Sequence, residues 1–395
     1  MALNLIRNSR VFYTNNVTNG IVNSTGFDNT NTFEVQVQDG FSFSQNTGTE
    51  TVTLNEAGST PIRGQRNFNT SLEPVDWSFA TYLRPKFLEG ATVDVAADVD
   101  DSVYAEEAVL WNALSGTGTI GSAGAGWSVV AGVAPVATVA FTNSNAHQLK
   151  SFGLIIRFEA VTYVIDNCAI DSVSIDFGLD AIASGQWAGK GTAMRQLATT
   201  VDINTSTGAF SGGLTGATSK QKDTSAAYIA NKLSTMSLAQ TAAFPGQSAK
   251  TYTLAITGGN LTINNNLTYL TPANLGTVNV PITYFTGTRA ITATVTAYLK
   301  TGTNETSTLL TDLLAGSASS TENQYAAAIT LNSGSAGHKV VLDMPFTKLS
   351  IPTITSEQVI STSITLSPQG GTTSAFNIET PNELSVKYYA LTTAA

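Results

Sequence analysis

Acidic side chains are the residues of this sequence that come closest to a metal-binding set. They cluster between Val93 and Glu107, where oxygen ligands for a calcium ion would be close together. Their spacing lacks the Asp-x-Asp-x-Asp-Gly pattern of an EF-hand loop. We therefore expect a solvated acidic loop whose last two members lie in the first turn of a helix, where negative charge is favourable. The residues are Asp94, Asp98, Asp100, Asp101, Glu106 and Glu107.

Three further aspartates, Asp166, Asp171 and Asp176, recur through a region of predicted strands. Two carboxyl groups at a suitable distance are what a glycoside hydrolase needs. The residues that match them in the repeat described below are not acidic, which argues against this chemistry. Those residues are Met344, Leu349 and Ile354.

The two histidines and the single cysteine do not form a catalytic set either. His147 and His338 lie in polar loops at unrelated positions, and Cys168, just before a predicted strand, is expected to pack as a small hydrophobic residue. One cysteine excludes an internal disulfide and a zinc site built on cysteines. Gly116–Gly126 lacks the flanking strand and helix of a nucleotide-binding loop. We expect no enzyme, no cofactor and no bound metal.

A repeat of strand, polar loop and short helix organises the chain. Residues 291–299 alternate Ala and Val with Thr, and residues 309–314 place four leucines on one stripe of a helix that we expect to stop at Gly316. An earlier copy runs from Val75 to Gly116, with a longer loop. Internal repetition predicts two similar units. The matched residues are Tyr82 with Tyr298, Leu83 with Leu299, Leu110 with Leu310, and Leu114 with Leu314.

The composition favours strands and a surface that neighbours cover. Of 395 residues only 12% are charged, about half the usual share. The net charge of −9, with 19 Lys and Arg, argues against a nucleic-acid binder, because such binding depends on basic residues that neutralise phosphates. The sequence has neither a signal-peptide pattern nor an apolar run long enough to span a membrane. We expect a chain that is made and kept soluble in the cytoplasm.

The predicted order of elements is mainly β, with one short helix in each unit. We expect a first domain at residues 1–196, a Thr/Ser/Gly-rich linker at residues 197–227, and a second domain at residues 228–395. The three tryptophans Trp77, Trp111 and Trp187 fall on regular elements and are expected to be buried. Alternating polar residues mark a solvated strand face: Ser42, Ser44, Thr262, Asn264, Thr294 and Thr296.

Five stretches resemble the major tail tube proteins of tailed bacteriophages. They are GFSFSQ at 40–45, RGQRNFNTSLEPVDWSFATYLRP at 63–85, EEAVLWNALSG at 106–116, NNNLTYLTPANLGTVNVPITYFTGTRAI at 264–291, and VVLDMPFTKLSIP at 340–352. The resemblance implies tail-tube-like β-sandwich or barrel domains, here two in tandem, whose sheets join around a ring. In family members with one domain, six chains close a ring. Here three chains would supply the same six domains.

The resemblance therefore implies a structural virion protein that self-assembles into stacked rings, the tail tube through which DNA is ejected into the host. It implies partners in the tape-measure, tail-terminator and baseplate or distal tail proteins, contact with passing DNA without sequence-specific binding, and no membrane partner. The polar strand face would then be either the lumen or the outer surface. The alternative is a β-rich adhesin or carbohydrate-binding protein of the tail tip or capsid surface, for which the acidic loop at Asp94–Asp101 is the best feature.

Overall fold

The computed structural model describes residues 9–24, 26–27, 31–52, 65–88, 102–115, 127–130, 136–141, 149–158, 161–197, 228–241, 248–276, 278–317, 323–332, 338–355, 359–372, 375–376 and 380–389. Within these ranges the chain is mainly β, which confirms the predicted fold class. Its two α-helices are α1 (Ala108–Ser115) and α2 (Thr306–Ser317). No helix among the described residues is long and apolar enough to cross a membrane.

Residues up to Leu197 are called here the first half, and the described part of this half forms sixteen strands. They are β1 (Arg10–Thr14), β2 (Val17–Thr18), β3 (Ile21–Val22), β4 (Thr32–Val35), β5 (Ser42–Ser44), β6 (Thr47–Val52), β7 (Arg66–Leu72), β8 (Val75–Tyr82), β9 (Pro85–Leu88), β10 (Ser102–Ala105), β11 (Trp127–Val130), β12 (Val136–Ala140), β13 (Phe152–Arg157), β14 (Thr162–Gly178), β15 (Ser184–Gly191) and β16 (Ala193–Leu197).

Residues from Tyr228 onwards, the second half, begin with a 3₁₀ turn at Asn231–Leu233 and contribute thirteen strands. They are β17 (Thr235–Gln240), β18 (Thr251–Leu254), β19 (Ile256–Asn264), β20 (Leu267–Leu270), β21 (Thr283–Thr286), β22 (Ala290–Tyr298), β23 (Tyr325–Asn332), β24 (Lys339–Leu349), β25 (Thr353–Thr355), β26 (Ser361–Pro368), β27 (Gly371–Thr372), β28 (Ala375–Phe376) and β29 (Ser385–Tyr389).

Each half repeats the same two sets of strand pairs. One set, the polar-faced sheet, runs β5-β8-β15-β14 in the first half and β19-β22-β26-β24 in the second, where β25 also pairs with β26. The other set runs β4-β1-β13-β14-β16 and β18-β17-β23-β24-β29. The long strands β14 and β24 belong to both sets. Along the sequence, α1 lies between β8 and β13, and α2 lies between the matching strands β22 and β23.

Strand alternation explains the core. Along β22, Ile291, Ala293, Val295 and Ala297 are buried while the residues between them are more exposed, as expected for a sheet with one solvated face. In the first half, Trp77, Trp111 and Trp187 are buried, as predicted. The rings of Trp111 and Trp187 meet edge-on with centroids 5.0 Å apart, a favourable aromatic geometry.

Both sets of strands also pair across the halves. β14 pairs with β19, so that the polar-faced sheet continues from the first half into the second. The other set is extended by β12 of the first half, which forms a hairpin with β11 and pairs with β29 of the second half. The sequence did not predict this hairpin. The predicted two-domain boundary stays a prediction, because residues 198–227 of its linker lie outside the described residues.

Several boundaries differ from those predicted. Residues 162–165 and 169–177 form the single strand β14, which changes its pairing partners near Asn167, a residue with a φ of 48°. The strand predicted at residues 181–188 begins instead at Ser184, because residues 178–181 form a turn closed by a backbone bond from Ala181 to Gly178. Helix α2 ends at Ser317, one residue beyond Gly316. Gly116–Gly126 falls outside the described residues.

Candidate functional site

The three candidate catalytic aspartates have separate partners along β14. Asp166 is buried and accepts a hydrogen bond of 2.8 Å from Arg195 Nε. Asp171 Oδ1 accepts one of 2.7 Å from the backbone N–H of Leu267. Asp176 is exposed on the polar-faced sheet. The first two carboxylates therefore fix neighbouring chain segments, and the structure does not bring the three together as a catalytic pair.

Cys168 and His338, which the structure describes, also lack a catalytic arrangement. Cys168 lies inside β14, fully buried, with its thiol donating to the carbonyl of Ile165 at 3.4 Å; burial raises the pKa of the thiol, so the reactive thiolate is disfavoured. His338 precedes β24, and partial burial lowers its pKa. His147 and the acidic residues from Asp94 to Asp101 lie outside the described residues. Within the described ranges no group of acidic, His or Cys side chains could hold a metal ion.

The expectation of a solvated Glu107 in the first helical turn is wrong. Glu107 precedes α1 and is buried between that helix and β29 of the second half. Tyr388 donates its hydroxyl to Glu107 Oε1 at 2.5 Å, and the indole N–H of Trp111 donates to the Tyr388 oxygen at 2.7 Å. Loss of hydration raises the pKa of Glu107 to about 7, although these hydrogen bonds favour the charged form. The sequence offered no signal for this, because Tyr388 is far away in the chain.

A polar face on the continuous sheet is the feature that unites the two halves. Ser42 and Ser78 stand opposite each other on β5 and β8 with their hydroxyl oxygens 3.2 Å apart. Thr262 on β19 stands opposite Ser174 of the first half and Thr292 of the second. The strand registers place all six residues predicted for the solvated face on this one side: Ser42, Ser44, Thr262, Asn264, Thr294 and Thr296.

Charge is sparse on the polar face. Among the described residues, its charged side chains are Asp76, Asp171, Asp176, Lys190 and Lys348. Asp76 accepts an ion-paired hydrogen bond of 2.6 Å from Lys190. The remaining side chains are mostly Ser, Thr, Asn and Gln, which bind water but offer a phosphate chain no cluster of cations. Such a surface can contact DNA without holding it.

Sequence comparison identifies a relative for this chain, although no protein family model matches it. Over 276 residues the chain is 31% identical to the tail tube protein pb6 of Escherichia phage T5. The chain is a homologue of a phage tail tube protein. The match covers 69% of this chain and 52% of the relative, so the chain spans about half the length of pb6. The resemblance to the major tail tube proteins is confirmed.

Proposed function

We propose that this chain is the structural subunit of a phage tail tube, a component of the virion that self-assembles into stacked rings around the path of the DNA. Each half of the chain acts as one tube domain. Three chains close a ring of six such domains, and the polar face lines the lumen. The homology to a tail tube protein and the mainly β fold support this function. The protein performs no catalysis.

The polar face, continuous across both halves, is the observation that carries the proposal. DNA has one negative charge per roughly 1.7 Å of axis, so a lumen rich in Lys and Arg would hold it through many salt-sensitive contacts. A face of Ser, Thr and Asn with three acidic and two basic side chains avoids that attraction. Water on these hydroxyl and amide groups lets the duplex slide. If the polar face were on the outside of the ring instead, the apolar side of the sheet would still be buried against the other set of strands. The lumen would then lack the polar lining.

The internal strand pairing supports closure into a ring. β14 and β19 join two similar sheets head to tail, and a head-to-tail contact generates a ring when its rotation closes. Closure also removes exposed sheet edges, which otherwise invite aggregation. Beyond the ring, the partners are the next ring, the tape-measure and tail-terminator proteins, and the baseplate or distal tail proteins. The chain is made in the host cytoplasm and is then incorporated into the phage tail.

Electron microscopy of the purified protein tests the proposal. We expect tubes or rings whose end-on averages have three-fold symmetry and a pseudo-six-fold inner wall. True six-fold rings would retain the tube function but contradict the assignment of both halves to the inner wall. Persistent monomers that bind glycans would overturn the proposal in favour of the adhesin.

A further inference from the structure

The joint between the two halves is a complete interface within one chain. On the sheet, β14 pairs with β19, and Ile175 stands opposite Leu261, both fully buried. Beside the sheet, α1 contacts the second half: the side-chain amide of Asn265 donates to the carbonyl of Leu114 at 3.2 Å, and the indole of Trp111 donates to Tyr388. All eight residues of α1 are buried.

The same elements recur at the outer ends of the chain without a partner strand. β25 takes the place of β14 and β5 takes the place of β19; among the described strands each pairs on one side only. The register identifies the matching residues. The strand register matches Ile354 with Ile175, one residue away from the match with Asp176 that the sequence spacing predicts. Ile354 pairs with Thr362, which stands opposite Ala297, and Ile175 pairs with Gly185, which stands opposite Thr81. Ala297 and Thr81 directly precede the matched tyrosines. By the same reasoning, Phe43 corresponds to Leu261. Phe43 pairs with Trp77, Leu261 pairs with Ala293, and Trp77 and Ala293 each lie five residues before the matched tyrosine of their half.

Burial separates the two sets of matched residues. Ile175 is 0% exposed and Ile354 is 48% exposed. On the helices, Leu114 is 1% exposed and its match Leu314 is 53% exposed. An exposed leucine alone needs no explanation. Here, however, the exposed residues are the matches of two residues at the internal joint: Ile175 stands opposite Leu261, and the carbonyl of Leu114 accepts a hydrogen bond from Asn265.

We infer that α2 and β25 form one docking surface for the first half of a second copy of this chain. In this contact β5 of the second copy pairs with β25, and its first half covers Leu314. The register copies the internal joint: Ile354 stands opposite Phe43, and Thr353 stands opposite Ser44, as Ser174 stands opposite Thr262. The inference rests on the proposed function and names the surface that closes the ring.

Substitution on the helix tests the docking surface. We expect Leu314→Asp to raise the protein concentration needed for ring formation by roughly tenfold or more, because a charge would be buried in the contact. Since Leu314 is half exposed in the single chain, the thermal unfolding midpoint should fall by no more than about a few degrees. The matched control is Leu275→Asp, also at an exposed leucine but on the connection between β20 and β21, away from the contact. Size-exclusion chromatography and electron microscopy measure rings for wild type and both variants.

Paired cysteines test the register independently of the helix. Ser44→Cys with Thr353→Cys should give disulfide-linked dimers and closed trimers on oxidation of assembled protein. The control pair, Ser42→Cys with Thr353→Cys, lies two residues out of register and should cross-link several-fold less. All three positions are exposed, and the buried Cys168 stays in place.

The outcomes separate the inference from the function. If wild type forms tubes but Leu314→Asp assembles normally, or if the control cysteine pair cross-links as well as the matched pair, the inference is wrong and the function stands. If wild-type protein never assembles, both the function and the inference fail. Loss of rings in Leu314→Asp with rings retained in Leu275→Asp, together with register-specific cross-linking, supports the docking surface.

Discussion

Replacing Glu107 by Gln should change how the stability of the chain depends on pH. The carboxyl group is buried at the contact between α1 and β29, where lost hydration raises its pKa from 4.5 to about 7. Below pH 4.5 the folded and unfolded chains both hold the proton, so burial of the neutral acid is inexpensive. Between pH 4.5 and 7 the unfolded chain releases the proton and the folded chain keeps it. The free energy of unfolding therefore falls as the pH rises through this window.

The size of the effect follows from the two pKa values. Each pKa unit corresponds to about 1.4 kcal/mol, so the full loss across the window is roughly 3 kcal/mol. That is a substantial share of the stability of a typical domain, about 5–15 kcal/mol. A glutamine keeps an acceptor for the hydroxyl of Tyr388 and cannot ionise. The difference in stability between the variant and wild type should thus move by roughly 3 kcal/mol in favour of the variant from pH 4.5 to pH 8.

Urea unfolding of dilute, unassembled protein, followed by tryptophan fluorescence, measures this difference at each pH. Other carboxyl groups titrate equally in wild type and variant and cancel in the comparison. Glu50→Gln, on the exposed strand β6, removes the same formal charge and controls for net charge. If the free energy of unfolding depended on pH in the same way for wild type and Glu107→Gln, the claim that Glu107 keeps its proton up to about neutral pH would be refuted.

Two further predictions concern packing and the polar face. A Cβ at Gly189 would lie 2.3 Å from both the carbonyl oxygen of Ala169 and the ring of Trp77. Gly189→Ala should therefore lower the free energy of unfolding, measured with urea, by about 1–3 kcal/mol. The control Gly178→Ala, whose Cβ would have its nearest neighbour at 3.8 Å, should leave the stability unchanged. Thr294→Lys should leave assembly intact but make purified tubes retain DNA at low salt and release it at high salt in a filter-binding assay; equal retention by wild-type tubes would contradict the polar lumen.

The sequence predicts the elements of this fold far better than their partners. Period-two alternation and a repeated strand-loop-helix pattern are local signals, and they were sufficient for α1, α2 and most core strands. The pairing of β12 with β29 joins residues that are distant in the chain, so no local pattern reports it. The start of β15 was also misplaced, because residues 181–183 (Ala-Ile-Ala) look suitable for a strand, although they close and follow the turn at residues 178–181.

The polar face was predictable and the buried carboxyl group was not. Alternation assigned six polar residues to one face of a sheet because side chains on a strand point to opposite sides in turn. Whether Glu107 meets water depends instead on where the last strand of the chain lies. That strand brings Tyr388 to the start of α1 and excludes water from a residue that the sequence predicts to be solvated in the first turn of the helix.

The two halves are similar, but the two joints that they form are not equivalent. At the internal joint, β12 adds a strand beside β29, and Trp111, Tyr388 and Glu107 form a buried hydrogen-bonded set. The match of Trp111 on α2 is Thr311, which is exposed, and only residues 318–324 connect α2 to β23, too few for a hairpin like β11–β12. A contact between copies built on α2 and β25 would therefore lack both features. Assembled tubes should come apart between chains while each chain keeps its own joint, so that dissociation yields folded monomers able to assemble again.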